Sequence, residues 1–162
     1  MSFLSGEETV GRFVGLGSSF LAHTDINTVV LTSEYSYMYL KNPAESSKTI
    51  VITHYMVGIN ASTTRSIWNL YADPEITDDG EAITPVNTYI KDSPNPSGME
   101  VYKGSTASSM GTLLNKIIQP ANTPSRGVNR IYWVDPGHSL LFTVQNNIVS
   151  TPSFVGVHWI EL

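Results

Sequence analysis

The stretch KTIVITHYMVGIN, residues 48–60, decides the fold that we predict for this chain. It is dense in β-branched and aromatic residues, which fit a pleated strand better than a helix. Alternate positions place Val51, Tyr55, Val57 and Ile59 on one side and Ile50, Ile52, His54 and Met56 on the other. Because neither side is polar, we expect a central strand that is covered on both faces, by a second sheet and by a loop or another subunit.

The composition limits the class of protein. The 162 residues suffice for one domain, and only 14% of them are charged, so Ser, Thr, Asn, Gly and Pro must form much of the surface. A formal charge of −5, with no cluster of Lys and Arg, argues against a nucleic-acid partner. The chain has no cysteine, so we expect neither disulfides nor a thiolate metal site, and stability must come from packing or oligomerisation.

The N-terminal region predicts an extended arm. Residues 1–19 contain four glycines among isolated apolar residues, and we expect this arm to dock on a neighbour through Phe3, Leu4, Val10, Phe13 and Val14. A frayed terminus is the alternative. The first residues lack a signal-peptide pattern and no stretch has membrane-spanning length, so we expect synthesis in a cytoplasm and no membrane partner.

Alternating patterns along residues 20–162 predict a single all-β domain. Thr28–Lys41 is expected to be one long strand with Tyr35, Tyr37 and Tyr39 on one side, followed by a turn over Asn42–Ser47 and a hairpin into the strand at residues 48–60. The region Asp73–Gly98 contains four prolines and predicts long loops with one or two short strands.

Five further segments read as strands. They are Ser66–Ala72, Met99–Lys103, Val128–Val134, Ser139–Asn147 and Ser153–Leu162. Thr112–Ile118 favours a strand over a helix because Gly111 and Pro120 bracket it. The total of eight or nine strands predicts a β-sandwich, and a jelly roll of about eight strands in particular.

No pattern in the sequence specifies a reaction, a metal or a cofactor. The four histidines never occur at metal-ligand spacing, and we interpret His54 and His158 as hydrogen-bonded core or interface residues that could meet across a threefold axis. The acidic stretch Asp73–Glu81 is the best candidate for a cation site, although a solvated loop is the favoured interpretation. We therefore expect a protein that is not an enzyme.

The aromatic residues admit two interpretations. Strand aromatics can stack sugars, as in a carbohydrate-binding module, or they can fill a core or a subunit interface, which we favour. The residues that we assign to a subunit interface are Tyr35, Tyr37, Tyr39, His54, Tyr55 and Trp159.

Two segments carry a resemblance to a known family. LKNP at residues 40–43 with KTIVI at 48–52, and DPGHSL at 135–140 before a C-terminal strand, resemble small structural proteins of tailed bacteriophages. These include capsid decoration proteins, also called cement proteins, which are jelly-roll trimers similar in fold to the tumour-necrosis-factor family. The resemblance implies a homotrimer on the capsid surface of a virion, bound to the major capsid protein through its N-terminal arm.

Three functions thus follow from the sequence, in order of preference. The first is a phage decoration protein that stabilises a shell. The second is a carbohydrate- or receptor-binding module of a phage tail, which needs an exposed aromatic platform. The third is an enzyme of cupin-like architecture, which needs a cluster of His and carboxylate side chains.

Overall fold

A computed structural model describes residues 18–24, 27–30, 34–59, 65–88, 96–121, 123, 125–146 and 149–162. All fifteen secondary-structure elements in these ranges are β-strands. No helix there is long and apolar enough to cross a membrane. The strands are β1 (Ser19–His23), β2 (Asn27–Val30), β3 (Tyr35–Lys41), β4 (Ile50–Ile59), β5 (Ser66–Ala72), β6 (Glu75–Asp78), β7 (Glu81–Ile83), β8 (Val86–Asn87), β9 (Glu100–Lys103), β10 (Thr106–Ser109), β11 (Thr112–Gln119), β12 (Arg126–Val128), β13 (Tyr132–Val134), β14 (Ser139–Asn146) and β15 (Val149–Glu161).

Antiparallel pairing arranges these strands in two large sheets and one small ribbon. The seven-stranded sheet has the order β12-β4-β15-β1-β8, with β13 also paired to β4 and β2 to β15. The six-stranded sheet has the order β11-β5-β14-β3-β9-β7, and β10 pairs with β6 alone. The all-β sandwich predicted from the sequence is confirmed.

The core lies between the two large sheets. Tyr55 of the seven-stranded sheet meets Phe142 of the six-stranded sheet edge to face, with ring centroids 5.1 Å apart. The hydroxyl of Tyr37 donates a hydrogen bond to the carbonyl oxygen of Ser153 across the same interior. Burial of each large apolar side chain stabilises the fold by about 1.5–3 kcal/mol. The largest fully buried side chains include Trp68, Trp159, Tyr55, Phe20 and Phe142.

The prediction of one long strand over Thr28–Lys41 is wrong. The segment contains β2, which pairs with β15, and β3, which belongs to the other sheet. The predicted hairpin between β3 and the next strand is also wrong, because β3 lies between β14 and β9. The turn at Asn42–Ser47 is present, with the Ser46 amide donating to the Pro43 carbonyl at 3.0 Å, but it leads the chain from one sheet to the other.

The strand β4 is central, as predicted, but its two faces are not the ones that strict alternation gives. His158 lies opposite His54 and Trp159 lies opposite Ile52, so Thr53 is an extra residue in β4. This β-bulge shifts the phase of the strand. The core side therefore carries Ile50 and Ile52 before the bulge and Tyr55, Val57 and Ile59 after it.

Other boundaries were predicted with mixed success. Strands β5, β9, β11 and β14 occupy the expected segments, and β15 begins earlier than predicted. The described part of the region Asp73–Gly98, which omits residues 89–95, contains three short strands, and the expected strand Val128–Val134 is two, β12 and β13. The five arm residues, Phe3 to Val14, lie outside the described residues, while Ser19 already belongs to β1.

Candidate interaction surface

The outward side of the seven-stranded sheet is the candidate site, and we call it the open face. Strand alternation directs every second side chain away from the core, and the strand register aligns these side chains in rows. The first row contains Trp133, Val51, Ile160 and Ser19. The second row contains His54, His158, Leu21 and Val86, and the third contains Gly127, Met56, Gly156 and His23.

The open face exposes large apolar side chains to solvent. Trp133 is 64% exposed, Val86 55%, Leu21 38% and Met56 36%. They come from four different strands, β13, β8, β1 and β4, and lie in three adjacent rows. Val51 and Ile160 of the first row are only 5% and 4% exposed, so the exposed apolar residues form separate patches: Trp133, the neighbouring pair Leu21 and Val86, and Met56. Exposed apolar patches on a sheet can mark a surface that binds another molecule.

No Lys, Arg, Asp or Glu occurs in the three rows of the open face. The outward side of the six-stranded sheet differs, because it carries the ion pair of Lys41 and Glu100, whose charged atoms are 3.5 Å apart. The six-stranded sheet also exposes apolar residues, Leu113 and Ile118 among them, so the two sheets differ in their outward charges and not in exposed apolar side chains.

The six-stranded sheet also satisfies its polar groups internally. Glu34 Oε1 accepts hydrogen bonds from Asn69 Nδ2 at 2.7 Å, from the Tyr71 hydroxyl at 3.0 Å and from the Thr143 hydroxyl. Burial, and the hydrogen bond and negative charge of Glu34, raise the pKa of Tyr71 to about 12. The side chains of this cluster bond to one another within the protein. The open face is therefore the better candidate for binding.

Two histidines lie side by side near the centre of the open face. His54 and His158 are cross-strand neighbours on β4 and β15. His158 lies between two hydroxyls, with Nε2 2.8 Å from Ser19 Oγ and Nδ1 2.9 Å from Thr53 Oγ1. His54 Nδ1 lies 2.6 Å from Asn129 Oδ1. Burial, followed by the nearby His54, lowers the pKa of His158.

Glycines let side chains lie flat on this sheet. A Cβ at Gly127 would come within 2.9 Å of His54 Cε1, so the absent side chain makes room for the imidazole. Gly58 likewise accommodates the ring of Phe154, which a Cβ would overlap. These close approaches keep the face low and allow another flat surface to come near the backbone.

The residues predicted for a subunit interface do not form one surface. Tyr37, Tyr55 and Trp159 are buried in the core, at most 3% exposed, because the bulge in β4 and the pairing of the sheets turn them inward. In one copy of the chain these three side chains are core residues, and their assignment to a subunit interface stays a prediction that their burial does not support. Tyr35 and Tyr39 belong to the six-stranded sheet, where Tyr39 stacks on Tyr102 with centroids 6.0 Å apart.

Of the six predicted residues, His54 alone lies on the open face. The exposed apolar residues of that face were missed: Leu21, Met56, Val86 and Trp133. The sequence Phe20, Leu21, Ala22, His23 could have predicted Leu21, because Phe20 and Ala22 are buried and the residues between and after them are exposed. Trp133 between two inward-facing residues carried the same signal.

The acidic stretch Asp73–Glu81 is divided between β6, a turn and β7. Asp73 pairs with His138, whose Nδ1 is 3.0 Å from Asp73 Oδ2, and Asp78 Oδ1 accepts a hydrogen bond from the Gly80 amide at 3.0 Å. Within the described ranges, no three His, Asp or Glu side chains are grouped as metal ligands would be. The cluster needed by the cupin-like alternative is thus not found in those ranges.

Comparison with known proteins adds no relative: no protein-family model matches the sequence, and no curated protein matches it significantly.

Proposed function

We propose that this protein is a capsid decoration protein of a tailed bacteriophage, which binds the outer shell as a homotrimer and stabilises it. The observation that carries the proposal is the open face, whose three rows expose four large apolar side chains and contain no Lys, Arg, Asp or Glu. The resemblance of the LKNP, KTIVI and DPGHSL segments to phage structural proteins supplies the biological setting.

The strand order supports a jelly roll. Numbering β1, β3, β4, β5, β11, β13, β14 and β15 from one to eight gives a sheet of order 1-8-3-6 and a second of order 2-7-4-5. A jelly roll, with its two Greek keys, has the same order, and this agreement supports the proposal. The remaining short strands extend the sheet edges or form the small ribbon.

A homotrimer would place the open face of each copy against its neighbours. Each Å² of apolar surface that the contact buries favours association by about 25 cal/mol, provided that no charge is left unpaired in the contact. The three described rows of the open face meet that condition because they contain no Lys, Arg, Asp or Glu. The charged outward side of the six-stranded sheet would then face solvent or the shell.

Shell stabilisation follows from binding. A ligand that binds the assembled shell and not its separate subunits shifts the equilibrium toward the assembled state. Three binding sites in one trimer act together, so weak individual contacts give firm attachment. No catalytic residue or cofactor takes part in this mechanism.

The first test is the mass of the full chain in solution. Light scattering should give three times the 17.8-kDa mass of one chain. Trp133→Lys, on the open face, should reduce the mass to that of one chain. Leu113→Lys is the matched control, because Leu113 is 50% exposed on β11 of the other sheet, and it should leave the trimer intact.

Binding to shells is the second part of the test. The wild-type trimer should sediment with phage capsids that lack their decoration protein, and Trp133→Lys should stay in the supernatant. A wild-type protein that is monomeric would overturn the trimer. A trimer that binds no capsid from a panel of tailed phages would overturn the decoration role.

One observation favours the tail-module alternative. Of the three tryptophans, Trp68 and Trp159 are buried, but Trp133 is 64% exposed and follows Ile131, which is 67% exposed. This single aromatic is a small platform for a sugar, which is why the decoration role comes first. Tryptophan emission that shifts on addition of one glycan from a panel would support the alternative, and an unchanged emission would count against it.

A further inference from the structure

The histidine pair, His54 and His158, is the titratable centre of the open face. The two side chains project from adjacent strands at directly opposed positions. The ordinary pKa of histidine lies within the physiological pH range, so a pair of imidazoles makes the charge of this face sensitive to acid.

Hydrogen bonds at His158 select its neutral form. The Thr53 hydroxyl donates to the carbonyl oxygen of His158 at 3.2 Å, so its oxygen is left to accept from Nδ1–H. The Ser19 hydroxyl, which is fully buried, then donates to the unprotonated Nε2. A second proton would have to enter at Nε2 and would require the Ser19 hydroxyl to reverse its direction.

Among the residues that the structure describes, no carboxylate lies beside the pair on this face. The outward side of β1 adds one more titratable group, His23, and the outward position of β8 is Val86. Beside β4, Arg126 aligns with inward-facing Val57, and Arg130 is bound to Asn115 of the other sheet. Protonation therefore adds positive charge to an apolar surface that already lacks negative charge.

We propose that the histidine pair makes self-association through the open face dependent on pH, so that the assembly is closed at neutral pH and opens under acidic conditions. The proposal rests on the homotrimer of the proposed function. Each copy would bring two new charges to the contact, and burying an unpaired charge in an apolar contact is costly. The expected range of opening lies below about pH 6.5, the ordinary pKa of histidine.

The test measures the mass of the full chain by light scattering between pH 8 and pH 4.5, with far-ultraviolet circular dichroism in parallel. The wild type should lose its threefold mass on acidification while its β-sheet spectrum persists. The variants His54→Gln and His158→Gln keep a polar side chain without a titratable imidazole. Each should move the midpoint of dissociation down by about one pH unit or more.

A matched control uses a histidine away from this face. His138, bound to Asp73, is exposed outside the seven-stranded sheet, and His138→Gln should dissociate as the wild type does. A trimer that survives to pH 4.5 would overturn the pH dependence and leave the decoration role standing. A wild type that is monomeric already at pH 8 would overturn the trimer itself. Identical midpoints in the wild type and both pair variants would remove the role assigned to the pair.

Discussion

Replacing Glu161 by Gln should destabilise the fold by about 2–3 kcal/mol, because the carboxylate is almost inaccessible and bound on all sides. Its side chain is 1% exposed, and Oε2 accepts a hydrogen bond from Lys48 Nζ at 2.6 Å. Oε1 receives the Ser97 hydroxyl at 2.7 Å, the Gly98 amide at 2.8 Å and Trp159 Nε1 at 3.3 Å. Glutamine preserves the shape of the side chain and removes only its charge.

The magnitude follows from the four hydrogen bonds. A hydrogen bond to a charged group contributes about 1.5–3 kcal/mol and one between neutral groups about 0.5–1.5 kcal/mol, so weakening the three bonds at Oε1 costs about 3 kcal/mol. The neutral amide is cheaper to bury than the carboxylate, and this difference offsets about 1–2 kcal/mol of the total loss. The amide nitrogen of glutamine would face Lys48, a second donor, and that bond would be lost. Its loss counts for only about 1 kcal/mol, because the Lys48 side chain is 41% exposed and water screens its charge.

Urea denaturation at pH 7, followed by tryptophan emission, measures this change in the free energy of unfolding. Glu100→Gln is the control, since Glu100 pairs with Lys41 at 3.5 Å but is 42% exposed, and it should cost less than about 0.5 kcal/mol. Equal losses in the two variants would show that burial of Glu161 does not strengthen its contacts. An unchanged midpoint in Glu161→Gln would refute the reasoning outright.

Two other predictions concern tyrosines and glycines. Burial is the largest cause that raises the pKa of Tyr55, Tyr71 and Tyr102 to about 12, so these phenols should ionise near pH 12 in an ultraviolet titration. Stability should fall as pH rises from 10 to 12, because the unfolded chain loses these protons first. Gly104→Ala, at φ +70° with Tyr35 Oη 3.4 Å from the new Cβ, should cost about 1–2 kcal/mol in urea denaturation. Gly111→Ala, at φ +81° with its Cβ overlapping the Ala72 carbonyl oxygen, should cost at least about 2 kcal/mol more, and equal costs would contradict the steric argument.

The sequence predicted the sandwich because its strands carry their own pattern. Leu140, Phe142 and Val144 occupy alternate positions of β14, with polar Thr143 and Gln145 between and after the last two, and all three lie in the core as expected. The turn at Asp135–Gly137 was also predictable, since Gly137 adopts φ +85° and the His138 amide donates to the Asp135 carbonyl at 3.1 Å. Local chemistry determines these features, and a single sequence displays it.

The partners of each strand could not be read in the same way. Tyr35, Tyr37 and Tyr39 continue the alternation that begins in β2, yet β2 and β3 join different sheets. Pairing between residues far apart in the chain decides such cases, and periodicity carries no information about it. The same limit explains the interface assignments, because alternation identifies a face without telling which face the second sheet covers.

The bulge at Thr53 reverses which alternate residues of β4 face the core. Upstream of it, even-numbered residues of β4 enter the core, and downstream of it, odd-numbered residues do. A relative that lacks this one residue would have to be aligned with a gap at that position, or every apolar residue on one side of it would be assigned to the wrong face. The core positions would then have to be identified separately on each side of the gap, as even-numbered residues before it and odd-numbered residues after it.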